Sequence, residues 1–153
     1  MQKHDPDYYN IALKVILKNN DGEILVLRNA EETGEGDYHD MPGGRINADE
    51  FDTPYETLID RELKEEIGDD IQYKLSLDPV SFGRHAYFSE RQKKQIRVFY
   101  LLFEAEYNSG AITISHEHSN YEWKRLEDIP LEQYFIKGML EAMKRYASHQ
   151  KKH

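Results

Sequence analysis

The segment of residues 53–68 constrains the fold most, because its ends and its periodicity predict the same amphipathic helix. Thr53 and Glu56 have the spacing of a capping box, and Pro54 occupies the first helical position, where a missing N–H costs nothing. Gly68 follows as a natural C-cap. An apolar residue recurs at every fourth position, and the predicted core-facing stripe is Tyr55, Ile59, Leu63 and Ile67. The rest of the chain must supply the core on which this stripe packs.

Most of the remaining pattern predicts β-strands around this helix. Residues 9–28 show the alternating side-chain pattern of strands on both sides of a turn at residues 19–22, which predicts a β-hairpin. Polar connections are expected at residues 29–40 and 47–52. Further extended segments are expected at residues 41–46, 71–80, 95–107 and 111–115, with another short strand starting at Trp123. Residues 131–146 predict a second amphipathic helix, with Tyr134, Phe135, Met139, Leu140 and Met143 facing inward.

Together these segments predict one α/β domain over residues 1–153, in which helices pack on a mixed sheet. Flexible ends are expected at residues 1–7 and 148–153.

The charge of the chain and its lack of cysteine exclude several kinds of function. A formal net charge of −9 disfavours nucleic acid as a partner. Without cysteine, disulfides, thiolate metal sites and cysteine nucleophiles are excluded. No apolar run is long enough to span a bilayer and no signal-peptide pattern is found, so we expect a cytoplasmic protein with no membrane partner. If the substrate carries phosphates, a bound divalent cation would offset the like-charge repulsion.

Three glutamates of the predicted helix share one side of it. Glu62, Glu65 and Glu66 stand at positions i, i+3 and i+4, within an arc of roughly 100°. Their mutual repulsion and the helix dipole disfavour this placement. The arc borders the apolar stripe, where a cleft could open, and clustered carboxylates suit hard cations such as Mg²⁺. The alternative is a solvated charged face.

The run from Arg61 to Gly68, R-E-L-K-E-E-I-G, resembles the second half of the Nudix box. Upstream, the residues Met-Pro-Gly-Gly at 41–44 resemble the Pro-Gly-Gly that opens the box. The resemblance covers the order of elements along nearly the whole chain. It implies a Nudix-type α/β/α sandwich with a mixed β-sheet.

The chain departs from the family pattern in the loop before the helix. Gly44 precedes Arg61 by seventeen positions, which makes this loop longer than in the family pattern. Thr53 stands where the first box glutamate is expected. Asp69 occupies the final position of the box, which is apolar in the family pattern, and Ile71 could supply the missing apolar packing. Candidates to replace the missing glutamate are Glu50, Asp52 and Glu56.

The resemblance implies a metal-dependent hydrolase that cleaves a diphosphate bond in a nucleoside triphosphate or a nucleoside diphosphate-linked substrate. Mg²⁺ or Mn²⁺ would be the cofactor, a small nucleotide-like molecule the partner, and a homodimer is possible. The implied metal ligands are the carbonyl of Gly43 and the carboxylates of Glu62, Glu65 and Glu66. Arg61 would orient Glu62, and either Glu62 or Glu117 would be the general base. Arg28, Arg45 and Arg84 are candidate phosphate contacts.

Four alternatives accompany this interpretation. The first is a non-catalytic Nudix-fold module that binds and senses a nucleotide; the intact glutamate set argues against it. The second is a relative of isopentenyl-diphosphate isomerase, which relies on a catalytic cysteine that this chain lacks. The third, RNA decapping, is disfavoured by the acidic charge. In the fourth, His116 and His118 would bind zinc with Glu117, but no third nitrogen ligand is evident, so solvent-facing or substrate-contacting histidines are expected.

Overall fold

The computed structural model describes residues 4–151, in which eight strands form one mixed sheet with helices on both faces. The strands are β1 (Asn10–Lys18), β2 (Glu23–Asn29), β3 (His39–Asp40), β4 (Gly43–Arg45), β5 (Gln72–Leu75), β6 (Ser81–Ser89), β7 (Lys94–Ser109) and β8 (His118–Arg125). The helices are α1 (Tyr55–Ile67), α2 (Leu131–Tyr134) and α3 (Lys137–Gln150).

The first two strands form the expected hairpin only at its closed end, where Lys18 lies opposite Ile24. Beyond that point they separate, and the chain at residues 39–45 enters the gap. β3 pairs with the far end of β2, and β4 pairs with the start of β1. The other edge of β1 pairs in parallel with β7 along its whole length. The separation of the hairpin strands therefore creates an opening in the sheet, bordered by the glycine-containing strand β4.

Two apolar cores lie on opposite faces of the sheet. Alternate residues of β1 point to opposite sides, as the period of a strand requires. Leu13 and Val15 pack with α1, whereas Ile16 packs with α3. This is the α/β/α sandwich with a mixed sheet that the resemblance implied.

Helix α1 is confirmed, but its start and its stripe differ from the prediction. It begins at Tyr55, with Pro54 in the N-cap position and no side-chain cap, so the predicted capping box of Thr53 and Glu56 is wrong. Tyr55 is 58% exposed, and the buried stripe begins at Leu58 instead. A capping box does form earlier, in a 3₁₀ turn, between Asn47 and Glu50.

Strand β6 was missing from the sequence prediction because its inward-facing positions lack large apolar side chains. Its buried residues include Ser81 and Gly83, which let α3 approach closely. A Cβ on Gly83 would overlap the carbonyl oxygen of Gly138 in α3. The hydroxyl of Ser81 donates to the Ala142 carbonyl at 2.6 Å.

Three other boundaries also differ from the prediction. The strand expected at residues 71–80 ends at Leu75. Residues 111–115 form no strand; they pair with the end of α1, where the Thr113 N–H donates to the Ile67 carbonyl at 2.9 Å. Trp123 lies near the end of β8 rather than at the start of a strand.

The helix expected at residues 131–146 is divided into α2 and α3. Phe135 and Ile136 between them are extended, with ψ angles of 154° and 161°. This break leaves Phe135 fully buried in the α3-side core.

Helix α3 extends through Gln150, into the segment expected to be a flexible end. Residues 1–3 and 152–153 of the two expected ends lie outside the described residues. In the part of the chain that the structure describes, no helix has the length and apolar character needed to cross a membrane.

We predict that Gly83→Ala destabilises the protein by about 1–3 kcal/mol, because the added methyl group must push α3 off β6. Chemical denaturation measures the difference. Arg84→Ala, an exposed change on the same strand, is the control and should stay within about 0.5 kcal/mol of wild type. Equal stability of all three proteins would contradict the close packing of α3 on β6.

Candidate active site

A cleft opens where β1 and β2 separate. Its larger part, here called the main cleft, has a volume of about 510 Å³. A side lobe of about 320 Å³ continues from it to the start of α3. The main cleft alone is lined by Ala12, Lys14, Gly43, Gly44, Glu62, Glu66, Glu117 and His118. The side lobe alone is lined by His39, His85, Tyr87, Ile136, Lys137 and Met139, and both parts share Asn29, Thr33, Glu35, Asp40, Arg45 and Tyr100.

Glu66 joins α1 to the glycine-containing strand. Its carboxylate is buried and accepts a hydrogen bond from the Gly43 N–H at 2.6 Å. Gly43 has φ 138°, and a Cβ there would overlap the Leu13 carbonyl, so only glycine fits. Burial raises the pKa of Glu66 to about 7, although Lys14 and the Gly43 N–H favour the anionic form. The main cleft therefore contains a carboxyl group whose negative charge is only partly compensated.

Glu62 lies one turn earlier in α1 and rests against Gly44. A Cβ on Gly44 would overlap the Glu62 carboxylate. Burial raises the pKa of Glu62, while the Arg61 charge opposes this change. Arg61 donates to Glu62 at 2.8 Å and to both carboxylate oxygens of Glu50 at 2.9 and 2.7 Å. Of the three candidates for the missing loop glutamate, Glu50 is thus the residue that contacts Arg61.

Lys14 is a buried cation that the sequence analysis did not single out. Its Nζ donates to the Asp40 carboxylate at 3.0 Å and to the carbonyls of Met41 and Gly43 at 3.3 and 3.4 Å. Burial opposes its charge, but the carboxylates of Asp40 and Glu66 outweigh burial and raise the pKa of Lys14. One signal was available: Lys14 occupies an inward position between Ala12 and Ile16 in an apolar strand, which requires a buried polar partner.

Glu65 is placed apart from the other two helix glutamates. Its side chain is 59% exposed, and its Oε1 lies 3.6 Å from Nη1 of Arg61. Across residues 4–151, no three acidic or histidine side chains converge into a preformed metal cluster. The structure therefore brings Glu62 and Glu66 together at the main cleft and leaves Glu65 outside it.

The second candidate base, Glu117, also lines the main cleft, on the segment between β7 and β8 whose Ser115 N–H donates to the Glu66 carbonyl at 3.1 Å. Its side chain is exposed, and its backbone carbonyl accepts a hydrogen bond from the Ala30 N–H at 2.9 Å, which anchors the loop. The neighbouring His118 is buried, with Nε2 at 4.0 Å from Oε2 of Glu66, whereas His116 is exposed. His116 and His118 thus differ in environment: His118 is not solvent-facing, and because it lines the main cleft, the other expectation, a substrate contact, stays a prediction for it.

The three candidate phosphate contacts have different environments. Arg45 lines both the main cleft and the side lobe, and its guanidinium lies 5.2 Å from the ring centre of Tyr87. Arg28 donates to the Gly36 carbonyl at 3.0 Å and is not among the residues that line the cleft. Arg84 is an exposed residue of β6, also outside that set. Only Arg45 is therefore placed in the cleft.

The oxygens around Glu66 are of the kind that Mg²⁺ prefers. Glu62 and Glu66 supply carboxylates, and the Gly43 carbonyl is close enough to accept from Lys14. Mg²⁺ commonly binds through one or two carboxylates and retains several waters, so it does not need a complete cage of protein ligands. A cation at this place would also compensate the buried charge of Glu66. The residues present therefore fit a divalent cation.

We predict that Glu66→Gln removes a pH dependence of stability. Because the folded-state pKa of Glu66 is raised from 4.5 to about 7, its stabilising contribution is complete below about pH 4.5 and is lost as the pH rises through about 7. At about 1.4 kcal/mol per pKa unit, wild type should lose roughly 2–3 kcal/mol relative to Glu66→Gln between pH 4.5 and 8.

Urea unfolding in EDTA at both pH values measures this difference. Glu65→Gln, which removes an exposed carboxylate of the same helix, should follow wild type. A stability difference between wild type and Glu66→Gln that is the same at both pH values would contradict the raised pKa.

Comparison with known proteins gives one consistent family. The family model described as the NUDIX domain matches residues 9–146. A nucleoside triphosphatase NudI of Escherichia coli O139:H28 (strain E24377A / ETEC) is 26% identical over 118 residues, which are 74% of this chain and 80% of that protein.

Solved structures share the fold. A MutT protein from Methanosarcina mazei Go1 superimposes with a TM-score of 0.74 at 24% identity, covering 94% of this chain and 96% of that one. An Ap4A hydrolase of C. elegans, solved as a binary complex, gives a TM-score of 0.64 at 20% identity, covering 94% and 99%. The chain therefore belongs to the Nudix family, and within it is a pyrophosphohydrolase.

Proposed function

We propose that this pyrophosphohydrolase uses a divalent cation to cleave the diphosphate linkage of a nucleoside triphosphate or of a nucleoside diphosphate-linked molecule. One observation carries the proposal. Carboxylates of Glu62 and Glu66 line the same cleft as the Gly43 backbone, and Glu117 lines it too. Acidic side chains from two separate segments that line one cleft suit a reaction that needs a cation and a proton acceptor. This arrangement favours a hydrolase over a module that only binds nucleotides.

Glu62, Glu66 and the Gly43 carbonyl would hold Mg²⁺ or Mn²⁺, with the exposed Glu65 as the outermost member of the ligand set. The cation would neutralise phosphate oxygens and lower the pKa of a water molecule. The missing Cβ at Gly44 leaves room for the Glu62 carboxylate against the backbone, and the missing Cβ at Gly43 lets β4 lie against the Leu13 backbone of β1.

Glu117 is the better placed of the two candidate bases. The carboxylate of Glu62 is already engaged by Arg61 and packed on Gly44, which suits a fixed ligand. The exposed side chain of Glu117 is available to take a proton. In the proposed reaction, a water oxygen bonds to phosphorus as the bond to the bridging oxygen breaks. Glu117 accepts the water proton, and the leaving phosphate departs with the bridging oxygen and its electron pair.

Arg61 acts as a positioning residue in this scheme, and Glu50 takes the role of the missing loop glutamate. Glu50 holds the Nη2 side of the guanidinium with both oxygens, while Nη1 holds Glu62. Because Arg61 contacts both glutamates, Glu50 in the longer loop helps to orient Glu62, a proposed metal ligand.

Nucleoside triphosphates are the first substrate class to test, since the 26% identical Escherichia coli relative is named as a nucleoside triphosphatase. Arg45 is the proposed phosphate contact, because it lines the cleft. The cytoplasmic location and the homodimer stay predictions.

We predict that wild type releases phosphate or pyrophosphate from at least one class in a panel of nucleoside triphosphates, nucleotide sugars and dinucleotides with Mg²⁺ or Mn²⁺. Glu66→Gln should lose at least about 100-fold in kcat, because it removes a buried ligand. Glu65→Gln should lose much less, because its carboxylate is exposed. Circular dichroism checks that each variant is folded. A folded Glu66→Gln protein with undiminished turnover would remove Glu66 from the metal site.

We predict that Glu50→Gln lowers kcat by about tenfold, because Arg61 loses the anion that orients it. Asp52→Asn and Glu56→Gln are matched controls from the same loop and helix start, and both should keep wild-type kcat. If Glu50→Gln alone needs more Mg²⁺ for half-maximal activity, the loss of kcat comes from the changed orientation of a metal ligand. Equal activity of the three variants would contradict the role given to Glu50.

A further inference from the structure

The side lobe is lined by two cations, of which Arg45 is the proposed phosphate contact and Lys137 has no role in the proposed hydrolysis step. Arg45 stands where the side lobe meets the main cleft, and Lys137 lines the side lobe at the start of α3. Within residues 4–151, no carboxylate lies within ion-pair distance of either side chain. Both residues are exposed, so in a protein with a net charge of −9 they place two positive charges at one cavity without carboxylate partners.

The lining of the side lobe contains two carboxylates, Asp40 and Glu35, and the two cations. Because Lys14 from the main cleft engages Asp40, one negative charge remains in the lining against two positive charges. Burial lowers the pKa of His85 in the same lining; the charges of Lys137 and Arg45 lower this pKa further, whereas the charge of Asp40 raises it. A neutral imidazole adds no charge but can still donate one hydrogen bond.

Lys137 also has an unusual backbone. Its φ is 52°, in the left-handed region that side chains other than glycine, asparagine and aspartate seldom adopt. Among the described non-glycine residues only Lys93 shares a positive φ, and it lies in the turn between β6 and β7. Such strain persists where the surrounding structure imposes it and often accompanies a functional site. Here it keeps a lysine at the lining of a cavity.

From these observations we infer that the side lobe is an anion subsite, in which Lys137 and Arg45 bind a phosphate group of the substrate other than the one attacked by water. The ring of Tyr87 lies beneath the Arg45 guanidinium and supports its orientation. The inference rests on the proposed function, because it assumes that the substrate's phosphate chain extends from the main cleft. It predicts that the protein prefers substrates with a free terminal phosphate, such as nucleoside triphosphates, to substrates whose phosphate chain is capped at both ends.

Calorimetric titration with inorganic tripolyphosphate tests the subsite without catalysis. EDTA in the buffer leaves only the protein's own cations to bind the probe. Lys137→Asn removes the charge while tolerating a positive φ, and it should weaken binding about tenfold. Lys144→Asn makes the same change elsewhere on α3 and should bind within about twofold of wild type. Lys137→Gly also relieves the backbone strain, so it should stay folded and show the same loss.

Three results would overturn the subsite: wild type does not bind tripolyphosphate, the Lys137 and Lys144 variants bind equally, or a free nucleoside binds the lobe in place of the phosphate probe. Hydrolysis assays on the same proteins separate this inference from the proposed function. Wild type that binds tripolyphosphate through Lys137 but hydrolyses no nucleotide would contradict the proposed function alone. Hydrolysis by wild type with unchanged binding by Lys137→Asn would contradict the subsite alone.

Discussion

The hydrogen bond from the Gly43 N–H to the buried carboxylate of Glu66, 2.6 Å long, connects the strand that enters the split hairpin with the helix that packs on the sheet. It forms only because residue 43 adopts φ 138° against the backbone of β1, which requires glycine. With Glu66 held there, the preceding turn of α1 brings Glu62 onto Gly44. Both carboxylates of the main cleft therefore take their positions from one contact between α1 and β4.

This arrangement carries an electrostatic cost that the surrounding charges reduce. Two carboxylates are withdrawn from water beside each other, and burial raises the pKa of both. Lys14 opposes this effect at Glu66, and Arg61 opposes it at Glu62. The compensation at Glu66 is incomplete, since its pKa still reaches about 7. Incomplete compensation is what a cation site needs, because a fully neutralised pair of carboxylates would have little affinity for Mg²⁺.

The parts that were predictable from sequence carry strong local signals. The acidic run at residues 61–68 and the Pro-Gly-Gly segment identified the helix, the family and the candidate ligands, because the chemistry demands those residue types at that spacing. Apolar periodicity predicted α1 and the buried strands for a similar reason. The exposed position of Glu65 could not be seen in this way, since the arc of roughly 100° is a property of the helix alone and the position of the cleft depends on β4.

Other features depend on contacts distant in sequence. Strand β6 has small inward residues because α3 lies on it, so its pattern is weak until α3 is placed. The capping box formed at Glu50 rather than Glu56, because Pro54, which has no capping side chain, is the N-cap of α1 and the longer loop folds into its own 3₁₀ turn. The side lobe brings together β4, β6, β7 and the start of α3, which no local pattern relates.

Anomalous diffraction from crystals soaked in Mn²⁺ and a slowly hydrolysed nucleoside triphosphate analogue tests the central claim most directly. The account requires a manganese peak bonded to carboxylate oxygens of Glu62 and Glu66 and to the Gly43 carbonyl, at about 2 Å, with the analogue's phosphates beside it. Manganese bound only outside the cleft, with Glu62 and Glu66 free of it while the analogue occupies the cleft, would contradict the account.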